Sequence, residues 1–146
     1  MLIDGSCHCR NIRFRLDWQP EPGFIPARAC DCSFCVKHGG VWTSCPAGRL
    51  QVTLLQPDRV AVYAFETKTA DFHVCCNCGV VPVVSCSIEG RPYAVVNVNT
   101  FDDAARSLMR QAPISFSAEA KGDRLARRQR NWIGQVEFMS HDAGNR

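Results

Sequence analysis

Hydrophobic and polar residues alternate along much of the first two thirds of the chain, with the period of two that is typical of β-strands. This alternation, together with short apolar runs, predicts strands over 11–16, 40–45, 50–55, 60–65, 71–75, 80–88 and 93–98. Turn signals separate the runs, among them Pro46-Ala47-Gly48 and Glu89-Gly90-Arg91-Pro92. The pattern therefore predicts a mainly β fold.

Helical patterns come only in the last third of the chain. Asp102 can cap a short helix that continues to Met109, and Asp123 can begin a second helix over 124–130. No internal repeat, low-complexity linker or shift in composition divides the sequence. We therefore expect a single domain over 1–138, with short C-terminal helices and a flexible tail over 139–146.

Composition adds limits on the class of protein. The chain has 146 residues, of which 46% are hydrophobic, enough to bury a core. No apolar run approaches the ~20 residues of a membrane span, and the N-terminus lacks the basic and apolar regions of a secretory signal. We therefore expect a cytoplasmic protein with reduced thiols and no membrane partner. The net charge of +3 does not call for a nucleic-acid partner, and a homo-oligomer is compatible with it.

Eight of the ten cysteines fall into three tight clusters. These are Cys7-His8-Cys9, Cys30-Asp31-Cys32-Ser33-Phe34-Cys35 and Cys75-Cys76-Asn77-Cys78-Gly79. An even number of cysteines would suit a secreted disulfide framework, but clustered spacings suit metal ligands better. The clusters therefore predict two zinc sites, and we expect Cys45, Cys86 and also Cys76 to be small buried apolar residues.

The first and third clusters can form a closed four-thiolate site. Cys7 and Cys9 can reach one ion from an extended segment, because residues i and i+2 of a strand share a face. Cys75 and Cys78 fit a knuckle in which two cysteines flank a tight turn, although Cys76 could replace Cys75. Zinc with four thiolates has no vacant position, so we expect a structural ion.

The middle cluster offers only three thiolates, from Cys30, Cys32 and Cys35, and three ligands leave a coordination position open. This is the pattern of a catalytic zinc site. A fourth protein ligand could instead close the site and make it structural. The candidates for that ligand are His8, His38 and Cys45.

Charge indicates which chemistry the open site favours. Zinc with three thiolates carries a net charge of −1, which makes it a poor Lewis acid for a hydrolase that uses metal hydroxide. A soft, thiolate-rich site suits a soft fourth ligand such as a substrate thiol. We therefore expect an enzyme that makes or breaks a carbon–sulfur bond. The alternatives are a non-catalytic zinc module that binds a protein partner and a thiol redox sensor.

These motifs resemble the family of glutathione-dependent formaldehyde-activating enzymes, which includes the centromere protein V type of domain. The resemblance covers roughly residues 3–110. It is carried by Gly5-Ser6-Cys7-His8-Cys9, Ile12-Arg13-Phe14, Cys30-Asp31-Cys32-Ser33-Phe34-Cys35, Gly39-Gly40, Tyr63, 75–79 and Val96-Asn97-Val98-Asn99. Arg10 departs from the pattern, since the family usually has glycine there.

The resemblance implies a fold of coiled β-sheets around zinc, like that of the Mss-type Rab exchange factor. It implies that Cys7, Cys9, Cys75 and Cys78 hold a structural zinc. It assigns a catalytic zinc, labile towards glutathione in this family, to Cys30, Cys32 and Cys35. The implied reaction is a carbon–sulfur lyase reaction, the reversible addition of glutathione to formaldehyde.

Other residues are weaker candidates for contact with such a substrate: Arg13, Lys37, His38, Trp42, Asn97 and Asn99. We expect Lys37 to be a solvated charge and Trp42 to lie in the core. The basic run over 124–130 could bind nucleic acid. We expect it instead to form a solvated helix face, with Leu125 and Trp132 packed inward.

Overall fold

The computed structural model describes residues 1–102 and 104–140, which form two β-sheets and a few short helices. The strands are β1 (Leu2–Ser6), β2 (Ile12–Asp17), β3 (Ile25–Cys30), β4 (Val41–Thr43), β5 (Arg49–Leu54), β6 (Val60–Tyr63), β7 (Asp71–Cys75), β8 (Val83–Ile88), β9 (Arg91–Asn97), β10 (Met109–Ile114) and β11 (Gln135–Ser140). The helices are α1 (Ser33–His38) and α2 (Lys121–Asn131), with 3₁₀ turns at Pro57–Arg59, Val98–Thr100 and Ala104–Leu108. The prediction of a mainly β fold is confirmed.

The strands form a four-stranded sheet, ordered β1-β2-β5-β11, and a seven-stranded sheet, ordered β10-β3-β4-β9-β8-β7-β6. Most neighbours are antiparallel, but β10 runs parallel to β3 and β11 runs parallel to β5. These two parallel pairings bring the C-terminal part of the chain back to β3 and β5, which lie in its first half. In the described part of the chain, no helix is both long and apolar enough to cross a membrane.

Both faces of the seven-stranded sheet are covered. On β9, Ala94 and Val96 pack into one core cluster together with Leu16 of the four-stranded sheet. Tyr93 and Val95 belong to a second cluster on the opposite face, as the period of two requires. A strand that is buried on both faces is a nearly continuous apolar run, which explains the composition of this part of the sequence.

The second face of the seven-stranded sheet carries both helices. Cys35 of α1 and Trp132, which follows α2, are buried in its apolar cluster, and Leu125 packs against that cluster. The predicted inward packing of Leu125 and Trp132 is therefore confirmed. Helix α2 begins at Lys121, before the predicted start.

The structure corrects the prediction for two C-terminal segments. The helix predicted to reach Met109 is only the 3₁₀ turn Ala104–Leu108, because Met109 already pairs with β3 as the first residue of β10. Pairing between distant segments here outweighs local helical preference. Strand β11 continues through Ser140, two residues into the predicted tail, and 141–146 lie outside the described residues.

Candidate metal centres and their cavity

The first group of thiols lies where the two sheets meet. The sulfur atoms of Cys7, Cys9, Cys75 and Cys78 all lie within 4.8 Å of one another. The Sγ atom of Cys9 is 3.8 Å from that of Cys7 and 3.4 Å from that of Cys75. A disulfide needs ~2.05 Å, whereas four sulfurs around zinc at ~2.3 Å lie ~3.8 Å apart. The donor set therefore fits a tetrahedral zinc ion.

Cys7 and Cys9 come from the loop that follows β1. The expected extended segment is wrong, because the chain turns at these residues and the Arg10 N–H donates to the Cys7 carbonyl at 3.1 Å. Arg10 closes the turn in the left-handed region, with φ of 68°. The N–H of Ile12 donates to Cys7 Sγ at 3.3 Å and so holds this sulfur in place.

Cys75 and Cys78 flank a tight turn between β7 and β8, as the knuckle spacing predicts. The Gly79 N–H donates to the Cys75 carbonyl at 2.8 Å, and Gly79 has a φ of 79°, which glycine adopts without strain. Cys76 lies outside the group, so the structure favours Cys75 over Cys76 as the partner of Cys78. Cys76 is exposed, so the expectation that it is buried is wrong, whereas Cys45 and Cys86 are buried as expected.

The pKa values of this group differ strongly between neighbouring thiols. Burial raises the pKa of Cys7 to about 12. Burial also acts to raise the pKa of Cys78, but hydrogen bonds from backbone groups and from neighbouring thiols lower it to about 6. A thiol with a lowered pKa is a ready metal ligand, because the thiolate is the form that binds a cation.

A substitution at Arg10 can test whether the left-handed backbone at this turn is strained. We expect Arg10→Gly to raise the free energy of unfolding by about 0.5–1 kcal/mol, because a non-glycine residue is strained in this conformation. The side chain itself adds little, since its ion pair with Asp102 spans 3.7 Å and is exposed. Urea unfolding of the zinc-saturated proteins checks this. A lower midpoint in the variant would show that the Arg10 side chain contributes more than its backbone strain costs.

The second group of thiols lies at the end of β3 and the start of α1. Cys30 ends the strand, and Cys32 is the residue that caps the helix. The Cys35 N–H donates to Cys32 Sγ at 3.3 Å, which is the bond of an N-terminal cap. The sulfur atoms of Cys30, Cys32 and Cys35 lie within 4.8 Å of one another. We call these three residues the cysteine triad.

Sequence reasoning missed helix α1, which brings Cys35 back towards Cys30. The signal for it is Cys32 at the cap position and Gly39 after the last turn, where φ is 75°. The helix could not be predicted from local preference, because its six residues, Ser33-Phe34-Cys35-Val36-Lys37-His38, have little helical preference.

The triad thiols are electrostatically coupled. The contact with the Cys35 thiol lowers the pKa of Cys30 to about 6, while the same contact, together with burial, raises the pKa of Cys35. Burial also raises the pKa of Cys32. The indole N–H of Trp42 donates to Cys35 Sγ at 3.4 Å and orients that sulfur. Like the first group, the triad is a soft donor set that suits zinc.

Among the described residues, no fourth cysteine, histidine or carboxylate joins the triad within the same distance. His38, one of the candidates for closing the site, stacks on Phe34 with ring centroids 5.2 Å apart. His8 and Cys45 also lie outside the group. Among the described residues, the triad therefore offers three ligands, one fewer than a tetrahedral zinc ion takes.

A cavity of about 410 Å³ opens beside the triad on the second face of the seven-stranded sheet. This volume is in the range of small-molecule sites. All three triad cysteines line it. Its apolar wall is mainly aromatic and comprises Trp42, Phe65, Phe72, Phe116 and Trp132.

The lining of the cavity also includes four arginines. Arg124, Arg127 and Arg128 of α2 line it together with Arg28 of β3. The prediction that α2 presents a solvated basic face is therefore wrong for these three residues. Positions 124, 127 and 128 share one face of a helix, and α2 turns that face towards the cavity. Arg130, by contrast, is exposed.

The other sequence candidates lie away from the cavity, apart from Trp42, which lines it. The buried Asn97 donates to the Val81 carbonyl at 3.1 Å, and Asn99 donates to the Gly39 carbonyl at 3.0 Å. Lys37 is exposed, as expected, and Arg13 is also exposed and donates to the Arg10 carbonyl at 3.0 Å. Asn97 and Asn99 thus donate hydrogen bonds to the backbone and do not line the cavity.

Comparison with known proteins agrees with this arrangement. The sequence model of the family described as "Glutathione-dependent formaldehyde-activating enzyme" matches residues 2–117. A Halomonas elongata protein named "Putative glutathione-dependent formaldehyde-activating enzyme" is 32% identical over 85 residues. That match covers 53% of this chain and 52% of the relative, so the chain matches about half the length of that protein. The crystal structure of a Rhodobacter sphaeroides protein superposes with a TM-score of 0.58 at 27% identity, covering 76% of this chain and 99% of the other.

Proposed function

Because the chain belongs to the family of glutathione-dependent formaldehyde-activating enzymes, we propose that it is a zinc-dependent carbon–sulfur lyase. Its substrates would be glutathione, or another small thiol, and an aldehyde such as formaldehyde. The observation that carries the proposal is the cysteine triad, which lines a cavity of about 410 Å³ and has no fourth ligand among the described residues. The same proposal gives Cys7, Cys9, Cys75 and Cys78 the structural zinc.

In the proposed reaction, the substrate sulfur attacks the carbonyl carbon and a carbon–sulfur bond forms. The proton of the thiol ends on the former carbonyl oxygen, and the reverse reaction breaks the same bond. Zinc held by the triad would supply the deprotonation of the substrate thiol. Cys30, Cys32 and Cys35 would hold this ion, and the cavity that they line gives a substrate sulfur access to them.

The remaining groups of the cavity position the substrate and exclude water. Phe65, Phe72 and Trp132 form apolar walls around the proposed reaction volume, and loss of solvent there strengthens polar interactions. The Ser33 hydroxyl and the Asp31 carboxyl line the cavity on the same short segment as the triad. Either can exchange a proton with the oxygen of the hydroxymethyl product.

The test is a two-dimensional exchange NMR experiment on a mixture of glutathione and formaldehyde. With the zinc-loaded protein at catalytic concentration, we expect the exchange rate between glutathione and its hydroxymethyl adduct to rise in proportion to protein. Two bound zinc ions per chain with a rate equal to that of buffer would contradict the proposal and favour a non-catalytic zinc module. Zinc that is released only by an oxidant, with no acceleration, would favour a redox sensor.

Trp42 gives a further prediction for the triad. We expect Trp42→Phe to weaken zinc binding at the triad by about tenfold, because the indole N–H that orients Cys35 Sγ is lost. The four-cysteine site should keep its metal in the same protein and serves as an internal reference. Competition with a zinc chelator measures both affinities. Equal affinity of the triad in the variant and the parent would show that the indole bond does not support the metal.

A further inference from the structure

Arg128 is a charged side chain buried without a countercharge. It is 7% exposed, and no carboxylate of the described residues lies within ion-pair distance of it. Its partners are neutral: Nη1 donates to Thr69 Oγ1 at 2.8 Å and to Cys86 Sγ at 3.5 Å, and its guanidinium lies 4.9 Å from the Trp132 ring centroid. The Nε atom is buried with no hydrogen-bond partner. Burial of a guanidinium group costs free energy unless another group supplies a negative charge and the missing hydrogen bonds.

Arg28 of β3 also lines the cavity, where it is half-buried and has no carboxylate within ion-pair distance among the described residues. It donates to Ser44 Oγ at 2.7 Å, and Ser44 Oγ in turn donates to the Asn131 carbonyl at the end of α2 at 2.8 Å. This chain of bonds fixes Arg28 against the helix but supplies no negative charge. Burial, and then the charge of Arg127, lowers the pKa of Arg28. Burial likewise lowers the pKa of Arg128, with repulsion from Arg124 and Arg127 adding to it.

A third arginine of the cavity, by contrast, is paired with a carboxylate of the protein. Arg127 lies over the Phe116 ring at 3.5 Å and makes a bidentate pair with Glu119, in which Nε donates to Oε2 and Nη2 to Oε1, both at 3.0 Å. The other acidic groups that line the cavity, Asp31 and Glu66, are exposed and lie at its rim. Arg28 and Arg128 thus line the cavity without a carboxylate partner among the described residues.

We propose that Arg28 and Arg128 form a carboxylate-binding subsite that makes the protein selective for thiols carrying a carboxylate. Both arginines line the same cavity as the cysteine triad, so one small molecule can place its sulfur at the triad and a carboxylate against a guanidinium group of the subsite. Planar guanidinium and carboxylate groups match in a two-bond geometry. Glutathione, with two carboxylates, meets this requirement, and a neutral thiol does not. This inference rests on the proposed function for the identity of the reacting sulfur.

Selectivity would then depend in part on a helix that the family match does not include. The family's sequence model ends at residue 117, whereas α2 begins at Lys121. Arg28 lies inside the matched region and Arg128 outside it. The proposed subsite therefore combines Arg28 of β3, inside the family match, with Arg128 of α2, outside it.

The experiment measures binding of S-methylglutathione, which has both carboxylates but no free thiol, by isothermal titration calorimetry. The full zinc-loaded protein is compared with Arg128→Gln, Arg28→Gln and the control Arg130→Gln, which changes an exposed arginine of the same helix. We expect Arg128→Gln and Arg28→Gln each to weaken binding by about tenfold or more, and Arg130→Gln to leave it unchanged. The diethyl ester of S-methylglutathione should bind the parent protein more weakly than the acid by a similar factor.

Equal binding of the acid and the diester, or equal loss in Arg128→Gln and Arg130→Gln, would overturn the subsite. The comparison of acid and ester needs no variant, so it decides the question even if one substitution unfolds the protein. Because S-methylglutathione cannot react, its binding is independent of catalysis. If the proposed lyase activity is wrong, the NMR exchange rate equals that of buffer. If the proposed subsite is wrong, S-methylglutathione and its diethyl ester bind equally.

Discussion

Replacement of Cys75 by serine is expected to abolish the folded state at ordinary temperature. Cys75 is fully buried, and its sulfur belongs to the group that joins the β1–β2 loop to the β7–β8 loop, one in each sheet. A structural zinc site of this kind contributes on the order of 10 kcal/mol in apparent terms, comparable with the whole stability of a domain. Zinc content, near-ultraviolet circular dichroism and urea unfolding of Cys75→Ser measure the loss.

The adjacent Cys76 provides a matched control for that substitution. It is exposed, lies outside the four-sulfur group and is tied to Arg59 only by its backbone N–H at 2.8 Å. Cys76→Ser should therefore keep the zinc content and the unfolding midpoint of the parent protein. Identical zinc content and midpoints in Cys75→Ser and Cys76→Ser would contradict the assignment of a structural metal to this group.

Cys32→Ser is expected to reduce hydroxymethyl exchange to the rate of buffer while the protein stays folded. Cys32 caps α1 by accepting the Cys35 N–H, and serine is a strong residue at this position, so the helix should persist. The hydroxyl is a harder and more basic ligand than the thiol, so the soft donor set is lost. Exchange NMR and zinc counting together measure the effect, with one zinc per chain expected to remain.

Cys76→Ser serves as the control here as well, since it removes a thiol that belongs to neither group. It should keep two zinc ions and the parent exchange rate. If Cys32→Ser retained the parent rate with a single zinc bound at the four-cysteine site, the triad would not be the site of the reaction.

The grouping of the cysteines could be predicted from their spacing because short loops restrict where sulfur atoms can point. Cys75 and Cys78 flank a turn that Gly79 permits, and the sequence contains all of that information. The conformation of Cys7 and Cys9 could not be predicted in the same way. An extended segment and a turn both bring their sulfurs together, and only the left-handed Arg10 distinguishes the two.

The basic lining of the cavity could not be predicted, because a run of arginines on a helix usually faces water. The spacing of Arg124, Arg127 and Arg128 shows that they share a face. What the face contacts depends on where α2 docks, and that is set by distant partners. One of these is Ser44, whose hydroxyl donates to the Asn131 carbonyl.

Strands β10 and β11 were missed for a related reason. Met109–Ile114 contains Pro113 and an arginine, and it reads as a strand only at the edge of a sheet, where proline is tolerated. Its partner, β3, is distant in sequence, and the parallel pairing fixes its register opposite Ile25–Cys30. Local pattern predicted β8 and β9, which form nearly continuous apolar runs, but it also missed β1 and β3.

Cobalt substitution tests most directly the claim that the triad offers a metal position open to a substrate thiol. The protein loaded with two cobalt ions is titrated with glutathione, and the sulfur-to-cobalt charge-transfer absorption is followed, with S-methylglutathione as the thiol-free reference. The account predicts a saturable increase that corresponds to one added thiolate per chain, absent with S-methylglutathione and absent in Cys32→Ser. A two-cobalt protein whose spectrum does not change with glutathione would contradict it.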